Sequence, residues 1–279
     1  MPKAQSYFVA NAGMVPCHAE DLDNDPRGII WMYEPPEPRG IYVMGIDPTA
    51  GLPMWNRYAR TDSDYRVDNG VIQILKIGRG EEIPDRQVAE FAAPIDPEDL
   101  ADVANVLGRV YGGNHEEGQA KCIIEIYPGP GLLTQRRMLQ YGYGNMFVWS
   151  YLDGMTRTMT RSLGWTSSPK STRDLWLRTS RHVIRGGVEL RSPWLVEEMA
   201  DAQMDRTGMR AQHIYGGHDD RWTAMQLAIW CGREWEMDVE SVASDVRTDA
   251  SPINYQATPI TYAEMMDEWE EKFTSMMEE

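Results

Sequence analysis

The apolar pattern predicts an α/β fold in which a mixed β-sheet, an antiparallel meander plus parallel strands, is flanked by helices. Three observations carry this. Runs alternating at period two, IYVMGID at 41–47 and VIQILKI at 71–77, are separated by a polar loop and an Asn69-Gly70 turn signal, as in antiparallel neighbours. A short apolar run, KCIIEIY at 121–127, is followed by PGPG and a helical pattern through Leu132, Leu133 and Leu139, the βα step of a sheet with parallel neighbours. Between them, IDPEDLADVANVLGRVYGG sets Leu100, Val103, Leu107 and Val110 at helical spacing.

Taken in order, residues 1–40 mix polar turns with Pro35, Pro36 and Pro38 and are expected to form an extended lead-in, placed at 1–38, with few contacts of its own. Along 41–47, alternation puts Tyr42, Met44 and Ile46 on one face and Val43, Gly45 and Asp47 on the other, so a carboxylate joins an apolar face. A third strand at about 87–93 completes the meander. The helix that follows has Asp96 as a cap and Pro97 at its first position. Further helices are predicted over Thr172–Val183 and Pro193–Met204, and a strand over Ala211–Tyr215. The final helix starts at GGHDD and runs through Trp222, Met225 and Ile229 to about Trp235. The main domain is placed at 39–248, with an acidic tail at 249–279.

Bulk composition narrows the function classes. A chain of 279 residues buries a core without disulfides, and Cys17, Cys122 and Cys231 lack the paired spacing of a zinc site, which suits a reducing compartment. No stretch reaches the roughly 20 apolar residues of a membrane span, and the polar start lacks a signal-peptide pattern. A soluble, intracellular protein is expected. The formal net charge of −16 argues at first against nucleic acid, since duplex affinity comes largely from Lys and Arg neutralising phosphates. The charge is unevenly spread, however. Residues 136–191 hold ten basic side chains, among them Arg136, Arg137, Arg157, Arg161, Lys170 and Arg173, against three acids. From Glu234 onward, thirteen acids face only Arg247 and Lys272. The basic segment is either a phosphate-facing surface or a solvated face, and its Trp149, Trp165, Trp176 and Trp194 either stack on a ligand or anchor the core. The acidic tail either mimics DNA or serves as a solubilising end.

Four acids recur at three places of one kind. Asp47 ends the first strand, Glu125 lies in the later strand, and the Asp219/Asp220 pair opens the last helix. Mg²⁺ and Mn²⁺ take hard oxygen ligands, so phosphodiester cleavage uses a few carboxylates drawn from separate elements, with two ions about 3.5–4 Å apart serving attacking and leaving oxygens. Each acid also has a plain role: Asp219 or Asp220 as a helix cap, Asp47 as the start of an Asp-Pro turn. His218 reads as a loop or capping residue or as a proton-transfer group beside Asp219. Glu125, inside Ile-Ile-Glu-Ile, costs desolvation unless something cationic compensates, and a metal would do that.

In IIWMYEPPEPRGIYVMGIDPTAG, QVAEFAAPIDPEDLADVANVLGRVYGG, AKCIIEIYPGPGLLTQRRMLQYGYGNMFVW, GGVELRSPWLVEEMADAQ and HIYGGHDDRWTAMQLAIW, in that order, the chain resembles the nuclease domain of viral large terminase subunits from tailed bacteriophages and herpesviruses. The similarity spans about residues 30–235. It implies a ribonuclease-H-like fold and Mg²⁺- or Mn²⁺-dependent cleavage of double-stranded concatemeric DNA during genome packaging, in the host cell cytoplasm. Carried over motif by motif, the metal-binding acids fall on Asp47, Glu125, Asp219 and Asp220, with Asp219 as the direct ligand of that pair, and a further acid on Asp68. The Gly-Lys-Ser/Thr phosphate loop of a packaging ATPase does not occur in this chain. Either this is an isolated nuclease domain, or the gene is split and the motor is a separate packaging ATPase chain; the other partners the resemblance implies are double-stranded DNA, a small terminase subunit and a portal. The alternatives are another nuclease of that superfamily such as a resolvase, a catalytically weak packaging interaction module, and a sugar-kinase or actin-like ATPase opening on GIDPTAG.

Overall fold

The computed structural model describes residues 5–10, 13–17, 29–49, 68–78, 83–115, 118–126, 129–152, 159–204, 211–213 and 219–245. Its first surprise lies in the lead-in. Strands β1 (Gln5–Ala10), β2 (Gly13–Cys17) and β3 (Ile30–Met32) join the main sheet, β3 pairing antiparallel with β6 (Asp85–Ala93) and β1 with both β3 and β2. This corrects the expectation of few contacts before residue 40. The physical cause is the free backbone edge of β6, which Ile30 and Met32 cover while burying their side chains. Pro16 is tolerated because β2 is the edge strand.

The predicted meander is present as β4 (Tyr42–Asp47), β5 (Gly70–Lys76) and β6, paired antiparallel in sequence order. Helix α1 (Pro97–Val110) follows, with Asp96 Oδ1 accepting from the Glu98 amide at 2.8 Å, as its cap signal predicts. Strand β7 (Lys121–Ile126) then inserts parallel to β4 on the side away from β5. After α2 (Pro130–Gln140) comes a hairpin that the sequence reading did not anticipate, β8 (Val148–Leu152) with β9 (Met159–Leu163), and then β10 (Trp165–Thr166), parallel to β7. Helix α3 (Pro169–Ile184) starts three residues earlier than predicted, since Ser168 and Ser171 form a capping box. A two-residue strand, β11 (Val188–Glu189), runs parallel to β6. Helix α4 (Pro193–Asp201) stops before the predicted Met204, because β12 (Ala202–Met204) pairs with β13 (Ala211–His213). Helix α5 (Asp220–Asp245) runs past the predicted end near Trp235. Across the sheet the order is β10-β7-β4-β5-β6-β3-β1-β2, an α/β architecture with a mixed sheet flanked by helices.

Two apolar layers sandwich this sheet. Tyr42, Met44 and Ile46 of β4 pack with Leu100, Leu107, Leu132 and Leu139 of α1 and α2, whereas Val43 packs with Trp222, Met225 and Ile229 of α5 and Leu175 of α3. The alternation read from 41–47 thus assigns both faces. At the β5–β6 pair the register slips between Ile74 and Leu75, leaving Val88 as an extra residue. The bulge turns Gln87 and Glu90, three apart in the chain, onto the α5 face. There they form a buried polar network with Gln73, Ser192 and Arg221. Among the described residues no helix is long and apolar enough to cross a membrane.

Candidate functional site

The parallel register of β4 and β7 decides which acids meet. Ile46 lies opposite Ile124, so one step further along each strand Asp47 and Glu125 stand side by side at the C-terminal ends, on the α5 face. Their carboxyl groups share a hydrogen bond. On the far side of β7, Trp165 of β10 is in register with Glu125. Two residues later the chain turns, and the Ser167 hydroxyl donates to Glu125 Oε1.

A close approach of backbone to backbone brings in the aspartate pair. Gly45 carries no Cβ, and one built there would stand 2.1 Å from the Ala224 carbonyl oxygen and 2.7 Å from the Ala228 amide nitrogen of α5. The helix therefore lies flush on β4, with small buried residues one turn apart at the contact. Its first turn is carried to the strand end where Asp47 sits. Asp219 closes the first helical bond, its carbonyl accepting from the Thr223 amide at 2.7 Å. Asp220 Oδ2 accepts from the Asn69 amide at 2.8 Å and is buried, which ties the helix start to the segment entering β5.

The electrostatics follow from this crowding. The Asp47 carboxyl titrates well above the usual carboxylate range, first because it is buried, then because the charges of Glu125 and Asp220, the bond to Glu125 and the charge of Asp219 all disfavour its ionised form. Among the described residues no Lys or Arg forms an ion pair with Asp47 or Glu125. Arg221, next to Asp220 in sequence, turns away: its Nε donates to Glu90 at 3.2 Å and its Nη1 to Glu198 at 2.8 Å. Among the described residues, no three His, Cys, Asp or Glu side chains already stand as a metal-holding group. The direct contact is Asp47 with Glu125, and Asp219 and Asp220 bear on Asp47 through their charge.

Sequence reasoning missed three supporting groups. Glu198 of α4 caps α5 from outside, its Oε2 accepting from the amides of Arg221 (2.9 Å) and Trp222 (3.3 Å). Burial pushes this carboxyl up to about 7, against the lowering effect of its bonds to Arg221. Glu90 and Ser167 are the others. Neither Glu198 nor Glu90 stands out in sequence, since the arginine each acid holds, Arg221, is more than twenty residues away; Ser167 sits beside the Ser168-Pro169 helix-start signal, which locates the turn but not its bond.

The remaining predicted site residues fall in different places. Asp68 is exposed, next to Asn69 in the segment that enters β5. Arg136 and Arg137 are half-buried on α2, and Arg137 is engaged there, its Nε donating to Asp102 at 3.1 Å and its guanidinium lying over the Tyr141 ring. Arg173 is exposed on α3; Arg161 lies in β9 and Lys170 in the first turn of α3. Arg157 and His218 lie outside the described residues. The tryptophans serve the core: Trp149, Trp165 and Trp230 pack edge-on or tilted, Trp176 meets Trp222, and Trp194 meets Trp31. Cys122 and Cys231 are buried free thiols. No family model matches the chain, and no curated protein matches it.

Proposed function

We propose that this chain is a divalent-metal-dependent endodeoxyribonuclease with a ribonuclease-H-like core, acting on double-stranded DNA in the manner of a viral terminase nuclease. One observation carries the reading: the parallel register sets Asp47 and Glu125 side by side at the strand ends, and the start of α5 brings Asp219 and Asp220 to the same end of the sheet, so that burial first and the neighbouring acids second raise the Asp47 pKa. The order of the central strands supports it. A three-stranded antiparallel meander is followed by two strands added in parallel at its first member, with α1 and α2 as the intervening helices.

The donor set fits a hard cation. Asp47, Glu125, Asp219 and Asp220 offer only carboxylate oxygens, and their unrelieved charge is what Mg²⁺ or Mn²⁺ would neutralise. These four would hold the metal, with Asp68 nearby in the chain segment that Asn69 anchors. A bound divalent ion supplies charge stabilisation to the phosphoryl oxygens and lowers the pKa of a water. The chain's own groups do the positioning. Ser167 fixes the Glu125 carboxylate through its hydroxyl, the Asn69 amide fixes Asp220, and Glu198 with Glu90 holds Arg221 and thereby the pitch of the first helical turn. Arg173, one of the exposed arginines on the helix that follows Ser167, would meet phosphates. Within the same reading, double-stranded DNA is the substrate, and the packaging motor, small terminase subunit and portal are its working partners.

A catalytically weak packaging module is the second reading, favoured because only two of the four acids touch directly. Incubating supercoiled plasmid with the full chain and manganese decides between them. The nuclease reading expects nicked and linear products that vanish with chelator and with Asp47→Ala; intact plasmid at every manganese concentration refutes it in favour of the module.

A further inference from the structure

Arg221 is the one buried arginine among the described residues, and it follows directly after Asp220 of the carboxylate cluster. Left to itself, its guanidinium would pair with that neighbour, because a forked arginine-carboxylate pair is the strong charge-assisted bond on offer. The distance to be covered is short. Asp220 lies close enough to Glu198, which holds one end of the guanidinium, for its charge to raise the Glu198 carboxyl. An Asp220 already neutralised by arginine would be a poor ligand for a hard divalent ion, since its charge and part of its lone pairs would be spoken for.

Two other acids take the guanidinium instead. Its Nε donates to Glu90 Oε1 at 3.2 Å and its Nη1 to Glu198 Oε1 at 2.8 Å. Glu90 is buried on β6, where the Ser192 hydroxyl also donates to Oε1 at 3.0 Å and the Gln73 and Gln87 amides donate to Oε2 at 2.7 and 3.3 Å. Every partner donates, so the place is built for an acceptor and holds Arg221 from one side. Glu198 holds it from the other, while its Oε2 accepts from the Arg221 and Trp222 amides at the head of α5. Gln87 ties the assembly to the start of α4, its Oε1 accepting from the Arg191 and Ser192 amides at 2.7 and 2.8 Å. Two ionised carboxylates about one guanidinium leave a negative charge over, so the field of the arginine is more than cancelled before it reaches Asp220.

We infer that Glu90 and Glu198 are positioning residues that hold Arg221 away from Asp220 and so keep the carboxylate cluster available to a divalent ion. The inference rests on the metal-dependent reading of that cluster and gives a charge role to two acids outside the proposed ligand set. It also accounts for a buried ion triad where apolar side chains of the same shape would serve stability as well or better.

Manganese binding by the full chain, followed by electron paramagnetic resonance without DNA and at a pH above the Glu198 value of about 7, tests it. Glu198→Gln keeps an oxygen for the α5 amides but frees one end of Arg221, and should raise the Mn²⁺ Kd by about tenfold. Arg221→Gln alone should bind at least as tightly as the parent, and the double change of Glu198→Gln with Arg221→Gln should return to within about twofold of it. Were the triad only a brace for the helix start, the double variant would bind most weakly of all. Far-ultraviolet circular dichroism and urea unfolding check that each variant is folded; if Glu198→Gln is not, Glu90→Gln, which leaves the α5 cap in place, takes its part in both comparisons. No loss in the single variant, weaker binding by Arg221→Gln, or no recovery in the double variant overturns the inference while manganese binding by the parent stands. A parent chain that binds no manganese overturns the functional reading and this inference together.

Discussion

The contact at Gly45 sets where α5 begins relative to Asp47, and a single methyl group probes it. In Gly45→Ala the new Cβ would stand 2.1 Å from the Ala224 oxygen, where real Cβ contacts stay beyond 3.0 Å. The obstacle is helix backbone, not the tip of a flexible side chain, so α5 must retreat by roughly 1 Å along its N-terminal half. Overpacking of this kind costs about 1–3 kcal/mol, which for a chain of this size lowers Tm by roughly 2–4 °C per kcal/mol. The retreat also carries Asp219 and Asp220 away from Asp47, and its carboxyl should titrate lower, nearer the ordinary range. Urea unfolding measures the first effect and carboxyl-detected NMR titration the second. Gly144→Ala, where nothing lies within 4 Å of the added atom, is the control and should stay within about 0.5 kcal/mol of the parent. If Gly45→Ala unfolds at the parent urea concentration with the Asp47 titration unmoved, α5 does not bear on β4 as described.

Three further outcomes follow from the same geometry. Glu198 titrates at about 7 in the folded chain against 4.5 unfolded, so between these values the native state holds a proton that the unfolded state has lost. By linkage its stability contribution is fully present below pH about 4.5 and is lost as pH rises through 7, on the order of 3 kcal/mol across the window; Glu198→Gln should flatten the urea midpoint against pH there, and an unchanged slope contradicts the assignment. Asp47→Asn removes a buried, repelled carboxylate while keeping its shape, so without divalent ions at pH 8 the variant should be more stable than the parent by about 1 kcal/mol or more, measured calorimetrically; a clear destabilisation would show that Asp47 is held by favourable contacts instead. Ser167→Ala deprives Glu125 of its donor and should raise the manganese needed for half-maximal plasmid cleavage by about tenfold, with rescue by Ser167→Thr; equal requirements in parent and variant would remove Ser167 from the site.

Local pattern made much of this legible. The two faces of 41–47, the Asp96 cap, and the βα step at Glu125 are all short-range signals, and the structure contains each. What sequence did not reveal depends on partners distant along the chain. Strand β3 is only three residues long and β1 opens on the polar Gln5 and Ser6, and the open edge of β6 is what makes strands of them. The β8–β9 hairpin is hidden because its residues do not alternate cleanly, while Ser168-Pro169 shows that an available helix-start signal can be passed over. At the site, Asp47 and Glu125 were recognisable as acids on apolar strands. Their adjacency required the parallel register, and the clamp of Glu198 on the α5 start required knowing that α4 packs there. Gly45 is the instructive case: one glycine within a strand looks like a weakness until the helix backbone above it is seen.

A divalent ion held jointly by these acids is the claim on which the functional proposal stands, and diffraction at the manganese edge from soaked crystals tests it most directly. The account predicts an anomalous peak within about 2.5 Å of carboxylate oxygens of both Asp47 and Glu125, with Asp219 or Asp220 completing the set, and its loss in Asp47→Ala. Crystals soaked in millimolar manganese that show the four carboxylates ordered and no peak between them would contradict it.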